Sequence, residues 1–492
     1  MKNKKLPIQT ISLITLTLVI LSGCKPKDKK NETTSGKFWK KQTTEQILNP
    51  WSENGIEEKR GVFYSYLNRE WEPYKENIIY PGMLARHIYS YASGYMLTGN
   101  QEYLEKAKKL KEYLIWNTWD EKHGGWYSSL NKKDSVIDDT KDLFYQIYAA
   151  TGLTMYYFAT KDSAALDYIE KTHQLMEEKA WDSKYKGYYR TLTREWSVKN
   201  DDKSFTPQIA PVSGYLLYLY RATRKDKYLN KAEDLVNLAL DKMNNNKYHY
   251  IMENFSRSWE YNYKKKGEDT EINMGHNIEM LWILLRLHDL TGKAEYRKEA
   301  DKLWETIRKY GYDEENVAWY HRVGLENPSG HTSSIPWWIQ AYGNMMTLYY
   351  HHISGQENLL QLFNKGAKYW NNHFIDDEYG GAFLSVSIDG SIHKGQKAVR
   401  TKTSYHSAEH GFLNYMYSNL WVSNEPVILY YKIQESKKGE KLYPVPVEDT
   451  TVRIDKVEVD GEIWNKAGAS EQYISLPEGK DYEVKVVLKT AK

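Results

Sequence analysis

A helical pattern that recurs about every sixty residues limits the possible folds of this 492-residue chain more than any other feature does. Each copy places apolar residues at helical spacing after a turn signal. Four clear copies begin at Gly99, Lys225, Gly292 and Gly355, and a weaker one begins at Lys161. Most copies then lead into an acidic turn and aromatic residues, at Asp120, Asp182, Asp313 and Asp377. The pattern predicts one amphipathic helix per copy.

A second type of segment precedes or follows these helices and is apolar nearly all round. Such segments span 80–97, 139–158, 207–222, 273–290, 334–353 and 404–420. Helices without a polar face have little contact with solvent. Six buried helices inside six amphipathic ones predict a mainly α protein with a closed (α/α)6 barrel over residues 39–424. An open solenoid is less well supported, because solenoids usually repeat at shorter periods.

The C-terminal residues 425–492 change to a pattern with period two. VILYYKI, TVRIDKVEV and YEVKVVL alternate as strands do, with a break between Ile454 and Val457. Asp460 and Gly461 match a hairpin turn. We therefore expect a small β domain here.

The N-terminus predicts export and a lipid anchor. Lysines at the start precede a short apolar run that ends in Leu-Ser-Gly-Cys, so residues 1–23 match a signal peptide and the ending resembles a bacterial lipobox. Cys24, the only cysteine, would be the lipidated residue, and an ordinary signal with a chance cysteine is the alternative. Residues 24–38 are expected to form a flexible tether. The expected location is the cell envelope, anchored to a membrane.

The overall composition favours a carbohydrate ligand over a nucleic acid. The net charge is only +3, and no basic cluster follows a predicted helix. The chain carries 43 tyrosines and 17 tryptophans. Most of these rings pack in cores, but such rings also stack on the apolar faces of sugars.

Polar residues recur near the start of the buried helices. Since all inner helices of such a barrel run in the same direction, these residues should converge on one mouth. The set consists of Arg86, Lys141, Tyr145, Gln146, His276, Glu279, Trp337, Trp338, Gln340, Tyr405, His406, Glu409 and His410.

Two histidines of this set have a glutamate three residues later, His276 with Glu279 and His406 with Glu409. At that spacing a carboxylate can orient an imidazole and raise its basicity. A buried polar group without a partner is costly, so two such pairs in phase favour catalysis or substrate contact. His87, His288 and His351 lack this support and are expected to be structural or exposed, while His410 is open between the two roles.

Several motifs together resemble one family. GHNIEMLW from Gly275 resembles the Gly-His-x-x-Glu-x-x-Trp motif of the N-acylglucosamine and cellobiose 2-epimerases. KDLFYQIYAATGL from Lys141, WWIQA from Trp337 and KTSYH from Lys402 match further motifs in the family's order, as do the turns DEYGGAF and HGGWY. The resemblance covers residues 81–420.

The resemblance implies an (α/α)6 barrel that epimerises or isomerises a reducing sugar by moving the C2 proton through an enediolate. His276 and His406 would exchange that proton, Arg86 would stabilise the enediolate oxygen, and Glu279 would orient His276. The implied substrate contacts are Tyr145, Gln146, Trp337, Trp338, Gln340, Lys402, Tyr405 and Glu409. No cofactor is implied, and no metal-ligand spacing such as H-E-x-x-H is present.

Three positions depart from the family pattern and keep two alternatives open. Pro211, Tyr342 and Glu409 stand where the family often has histidine, glutamate and arginine. A glycoside hydrolase or lyase is the first alternative, with Asp138 and Asp139 or Glu279 and Glu409 as its carboxyl pair. A non-catalytic glycan-binding lipoprotein is the second.

Overall fold

A computed structural model describes residues 32–261, 271–325, 331–437 and 439–491. The predicted signal peptide and Cys24 lie outside these ranges. Within them, no helix combines the length and the apolar character needed to cross a membrane.

The described residues form twelve long helical segments, numbered here in chain order. They are α1 (residues 36–54), α2 (Pro81–Thr98), α3 (Gln101–Thr118), α4 (Leu143–Thr160), α5 (residues 163–180), α6 (residues 205–223), α7 (Asp226–Lys242), α8 (Met274–Thr291), α9 (Ala294–Tyr310), α10 (Trp337–Ser354), α11 (Glu357–His373) and α12 (residues 405–423).

The even-numbered helices form a closed inner ring. Each contacts the next, and α12 contacts α2, so the ring has no free edge. Helices α3, α5, α7, α9 and α11 each pack against the inner helix that precedes them. The α1 helix packs against α12 and supplies the sixth outer helix, which the repeat did not reveal.

The start of α1 shortens the predicted tether. Residues 32–38 were expected to be flexible, but Thr33 and Gly36 are buried. The Gly36 amide donates to Asn419 Oδ1 at 3.1 Å, and a Cβ at Gly36 would come within 2.2 Å of the same oxygen. Any tether therefore ends before residue 32.

The third inner helix, α6, contains a wide turn at the unexpected proline. Pro211 has no N–H to donate to the carbonyl four residues earlier. The helix continues past it through a π-helical turn over Val212–Leu216. This turn carries Ser213, which faces the candidate site described below.

A cluster of one aspartate, one lysine, one arginine and one tryptophan recurs in the turns between helices and is called a latch here. Asp182 is buried in its turn, where Arg257 Nε donates to its Oδ2 at 2.8 Å and Lys203 Nζ lies at 3.4 Å. Trp259, two residues after the arginine, donates its indole N–H to the Tyr185 carbonyl at 2.8 Å. Burying this carboxylate requires such partners.

Two other turns have the same latch. Their residues are Asp120, Lys141, Arg194 and Trp196, and Asp376, Lys397, Arg69 and Trp71. The carboxylate in the last latch is Asp376, which is buried, while the predicted Asp377 is exposed. Each arginine lies two residues before its tryptophan, a spacing visible in the sequence but not used in the sequence analysis.

Short antiparallel strands occupy the connections between helices. They are Ile56–Glu57, Val62–Phe63, Ser129–Leu130, Val136–Asp138, Lys141–Asp142, Thr191–Leu192, Val198–Asn200, Lys203–Ser204, Asn244–Asn245, Tyr250–Ile251, Asn254–Phe255, Glu271–Asn273, Tyr312–Asp313, Ala318–Trp319, Arg322–Gly324, Ser334–Pro336, Ser385–Ser387 and Ile392–Lys394.

The C-terminal strands form two antiparallel sheets. In the first sheet the strand order is Val427–Ile433, Tyr482–Thr490, Val452–Val459 and Glu462–Ile463. In the second sheet it is Lys441–Leu442, Tyr473–Ser475 and Ala467–Gly468. The predicted strands and the hairpin turn at Asp460 are confirmed, since Val459 pairs with Glu462. The predicted break is a register shift between Ile454 and Lys456.

The segment that joins the two sheets contacts the C-terminal ends of the inner helices. Arg221, near the end of α6, donates to the Val445 carbonyl at 3.1 Å. Arg286, near the end of α8, pairs with Glu448 at 2.6 Å, and both side chains are 1% exposed. The C-terminal region therefore packs on the end of the barrel opposite to the helix starts.

Candidate active site

The start of α8 is held by a cap and by a close aromatic contact. The side chain of Asn273 accepts a hydrogen bond from the His276 amide at 3.3 Å, as an N-cap residue does. A Cβ at Gly275 would lie 2.2 Å from the Trp338 ring. Glycine at this position therefore lets the indole of α10 pack directly on the first turn of α8, beside His276.

His276 is oriented by Glu253 and not by Glu279, which corrects the role given to Glu279. Its Nδ1 lies 2.7 Å from Glu253 Oε1, and its ring stacks on Phe205 at 4.3 Å. Burial disfavours the imidazolium, but the charge and hydrogen bond of Glu253, with the charge of Glu279, outweigh burial and raise the pKa of His276.

Glu279 instead accepts a hydrogen bond from the Ser213 hydroxyl at 2.6 Å. Burial raises the pKa of the Glu279 carboxyl, against the opposing charges of His276 and Arg86. Glu279 therefore influences the pKa of His276 through its charge and not through a hydrogen bond.

The second histidine, His406, lies in a different environment. Its Nδ1 is 3.5 Å from Glu409 Oε2, and neither atom has a hydrogen-bond partner among the described residues. Burial, together with the charges of Arg86 and His276, lowers the pKa of His406 well below its ordinary value. Burial also raises the pKa of Glu409 to about 8, while its other oxygen accepts from the Tyr405 hydroxyl at 3.0 Å.

Both imidazoles lie beside one indole ring. The Trp338 ring centroid is 5.4 Å from that of His276 and 6.1 Å from that of His406. Trp337 and Tyr342 complete the wall around His406, at 5.8 Å and 5.4 Å. Two histidines separated by 130 positions in the chain thus face one aromatic surface at the same end of the barrel.

Arg86 brings a buried positive charge to the same place. Its guanidinium lies 3.7 Å from the Tyr148 ring centroid and donates to the Thr401 carbonyl at 3.3 Å. Its Nε is buried and has no hydrogen-bond partner among the described residues. Such an unpaired donor is available to a developing negative charge.

A cavity of about 530 Å³ lies at the same end of the barrel, although neither His276 nor His406 is among its lining residues. Its lining includes Tyr145, whose hydroxyl accepts from Arg400 Nε at 3.1 Å. Phe144 and Thr401 also line the cavity, and both contact Arg86. The volume is in the range of ordinary small-ligand sites.

Three predicted substrate contacts have structural roles instead. Gln146 bonds the backbone N–H and carbonyl of Trp126 at 2.8 and 2.7 Å. Gln340 accepts from the Trp319 amide at 3.3 Å. Lys402 donates to two backbone carbonyls, at 2.7 and 2.9 Å, and is buried. All three side chains are nearly fully buried and are bonded to groups of the adjoining turns, so in this arrangement they hold those turns.

Four other histidines considered from the sequence bond elsewhere in the fold, as expected for three of them. His87 contacts Ser404 at 2.9 Å, and His288 and His351 each contact a backbone carbonyl at 3.0 and 2.9 Å. His410, left open by the sequence, pairs with Asn344 at 3.1 Å between two outer-helix tryptophans. Burial lowers the pKa of His410 to about 3, which suits a neutral core residue.

The carboxyls of the hydrolase alternative do not flank this site as a pair. Asp138 and Asp139 are exposed, and Asp138 caps the Thr140 amide and hydroxyl at 3.1 and 2.7 Å. Glu409 has a pKa of about 8 and Glu279 is tied to Ser213. Neither of the two carboxyl pairs considered from the sequence therefore supplies the ionised carboxylate and the acid that a glycosidase needs on either side of the bond.

The sequence analysis missed Glu253, Ser213 and Tyr148. Glu253 follows a strand between α7 and α8 and carries no motif, so only the fold brings it to His276. Tyr148 could have been found, because it lies three residues after Tyr145, on the next turn of the same helix.

Comparison with known proteins agrees with this geometry. The family model for N-acylglucosamine 2-epimerase (GlcNAc 2-epimerase) matches residues 61–409. The chain belongs to this family. A cellobiose 2-epimerase of Bacteroides fragilis is 26% identical over 391 residues, which cover 75% of this chain and 95% of that one. A D-mannose isomerase of Marinomonas mediterranea is 20% identical over 364 residues, covering 70% and 89%.

The fold of the family is also found in solved structures. The cellobiose 2-epimerase of Bacillus thermoamylovorans superposes with a TM-score of 0.71 at 19% identity, covering 77% of this chain and 98% of that chain. The family resemblance and the (α/α)6 barrel predicted from the sequence are thus confirmed.

Proposed function

We propose that the protein epimerises or isomerises a reducing sugar by proton transfer at C2 between His276 and His406. The observation that carries this proposal is the placement of the two imidazoles beside Trp338, with opposite shifts of pKa. Two titratable groups pushed apart in this way are suited to be the acid and the base of one reaction. The named relatives, cellobiose 2-epimerases and a D-mannose isomerase, support the same reaction class.

The two histidines have different roles in the proton transfer, one as the base and the other as the acid. His406, whose pKa is lowered well below its ordinary value, is neutral at pH 7 and takes the C2 proton. His276, whose pKa Glu253 raises against the effect of burial, is the better proton donor and returns a proton from its own side. If the 3.5 Å gap between His406 Nδ1 and Glu409 closes, the Nδ1–H donates to the carboxyl and leaves Nε2 as the base. In the reverse direction the two histidines exchange roles.

Loss of the C2 proton places negative charge on the sugar oxygen at C1. The unpaired Nε of Arg86 stabilises this enediolate, since a fixed cation in a buried site costs no reorganisation. Protonation at C2 on the opposite face gives the epimer, whereas protonation at C1 gives the ketose. Trp338 and Trp337 supply the apolar faces on which a sugar ring packs.

The substrate is the reducing end of a sugar or oligosaccharide. The cavity of about 530 Å³ meets Arg86 at Phe144 and Thr401 and offers room for further sugar units, and its lining mixes aromatic, hydroxyl and arginine side chains. The N-terminal sequence that ends at Cys24 and resembles a lipobox supports a cell-envelope location with a lipid anchor.

Deuterium exchange tests the reaction directly. The full chain is incubated with a reducing disaccharide such as cellobiose, and with free mannose, in deuterium oxide, while NMR follows C2. We expect deuterium at C2 together with a C2 epimer or a ketose. Cleavage of the disaccharide without exchange, or binding without either change, would overturn the proposal.

Single variants test the two assigned roles. His276→Ala and His406→Ala should each lower the exchange rate by at least about 10³, because each removes a proton-transfer group. His288→Ala is the matched control, since His288 lies on α8 and bonds only a backbone carbonyl. Circular dichroism checks that the fold persists. Near-normal exchange in either test variant would contradict its role.

A further inference from the structure

A second cluster of ligand-type side chains lies at the other end of the barrel. Asp289 is near the C-terminal end of α8, His352 is near that of α10, and Asp449 is in the segment between the two C-terminal sheets. One carboxylate oxygen from each aspartate and Nε2 of His352 lie within 4.8 Å of one another. The residues come from three distant parts of the chain, so no sequence motif marks them.

We propose that Asp289, His352 and Asp449 bind a divalent transition-metal cation of the zinc class. The proposal is independent of the reaction at the other end of the barrel. The ion would join two inner helices to the C-terminal segment. A histidine nitrogen with two carboxylate oxygens is a ligand set that zinc accepts, with a water molecule in the fourth position.

The distances fit a shared cation better than hydrogen bonds. His352 Nε2 lies 3.4 Å from Asp289 Oδ2 and 3.7 Å from Asp449 Oδ2. A direct bond between an imidazolium and a carboxylate would be about 2.8 Å. Two ligands at tetrahedral angles around zinc lie about 3.4 Å apart, given metal–ligand bonds of about 2.1 Å.

The negative charges of Asp289 and Asp449 also favour a bound cation. The Asp449 side chain is fully buried and that of Asp289 is 13% exposed. Among the described residues, neither aspartate forms an ion pair with a lysine or arginine. Asp449 Oδ1 accepts from the amide and the hydroxyl of Thr451, both at 2.7 Å, but these neutral donors do not offset two like charges held within 4.8 Å of each other. A divalent ion would neutralise both.

The surrounding side chains hold the ligands in place. The Tyr349 hydroxyl donates to Asp289 at 2.8 Å, and the Trp421 indole donates to Asp449 at 3.0 Å. The His352 ring stacks on Trp421 with a centroid distance of 4.1 Å. Such outer contacts fix the direction of metal ligands. The His352 side chain is 19% exposed, so an ion can enter from solvent.

Calorimetric titration tests the proposal. The full chain is treated with EDTA, dialysed and titrated with ZnCl2, and its Tm is measured with and without the ion. We expect saturable binding of one zinc per chain and a Tm raised by at least about 2 °C at saturation, because the ion binds only the folded state. Binding of Mg²⁺ as tight as that of Zn²⁺ would contradict the metal class.

Two variants and one control locate the ion. Asp449→Asn keeps the shape of the side chain, and His352→Gln removes the imidazole, so each should weaken zinc binding at least about tenfold. His288→Gln, which changes a histidine one residue from Asp289, should bind as the unmodified chain does. Absence of saturable binding, or equal affinity in all four proteins, would overturn the proposal.

Discussion

Replacing Glu409 by glutamine should make the protein more stable at alkaline pH. Glu409 is fully buried and burial raises its pKa to about 8, from an ordinary value of 4.5. Because the folded state holds this proton more tightly than the unfolded chain does, Glu409 favours folding below about pH 4.5. That contribution is lost progressively as the pH rises to about 8. Glutamine has the same shape and does not ionise.

The size of the effect follows from the difference between the two pKa values. That difference is about 3.5 pH units, and each unit corresponds to about 1.4 kcal/mol, which sets an upper limit of about 5 kcal/mol. The limit applies because Glu409 is 0% exposed and solvent does not screen it. Relaxation of the surrounding residues would lower the measured value.

Urea unfolding at pH 5, 7 and 9, followed by tryptophan fluorescence, measures this difference. The free energy of unfolding of Glu409→Gln, relative to the unmodified chain, should rise with pH and level off above pH 8. Glu305→Gln, at an exposed position on α9, is the matched control and should show a constant difference. A constant difference for Glu409→Gln as well would refute the claim that Glu409 is neutral at pH 7.

Two further substitutions test the carboxylate that orients His276 and the buried ion pair at the opposite end of the barrel. Glu253→Gln should lower the pKa of His276, move the alkaline limb of the activity profile to lower pH and reduce kcat at pH 7 about tenfold; an unchanged profile would contradict the role of Glu253. Glu448→Gln should destabilise the fold by about 3 to 5 kcal/mol in urea unfolding, because Arg286 stays buried without its charged partner. Exposed Glu478→Gln is the control, and equal stability of the two would exclude a structural role for the pair.

The inner helices could be predicted because their physical signal is local. A helix in contact with other helices on all sides is apolar on all sides, and residues 143–160 follow this rule closely, with Gln146 and three threonines as the main polar exceptions. The sixth outer helix could not be found in the same way. It precedes the first copy of the repeat, and its sequence shares no turn or motif with the other outer helices. Only contact with α12 shows its place in the ring.

The polar residues show where reasoning from spacing fails. Gln146 and Gln340 occupy the same turns as the site residues, but their amides bond backbone groups that would otherwise be buried without partners. An amide has both a donor and an acceptor and suits this task, as it would suit a sugar. Sequence spacing predicts that such a residue lies near the starts of the inner helices, but it does not show whether the amide bonds the backbone or a sugar.

The two histidine–glutamate pairs look alike in sequence and differ in the folded protein. Beside His276, the nearest carboxylate is Glu253, which comes from a connection and raises the pKa of the imidazole. Beside His406, the carboxyl is Glu409, which is neutral at pH 7 because it is buried. One spacing therefore yields an imidazole whose pKa is raised and another whose pKa is lowered, which suits them to be the acid and the base of one proton transfer. The difference arises from what the barrel places around each pair, so the neighbouring groups, and not the shared spacing, decide which histidine is the better acid and which the better base.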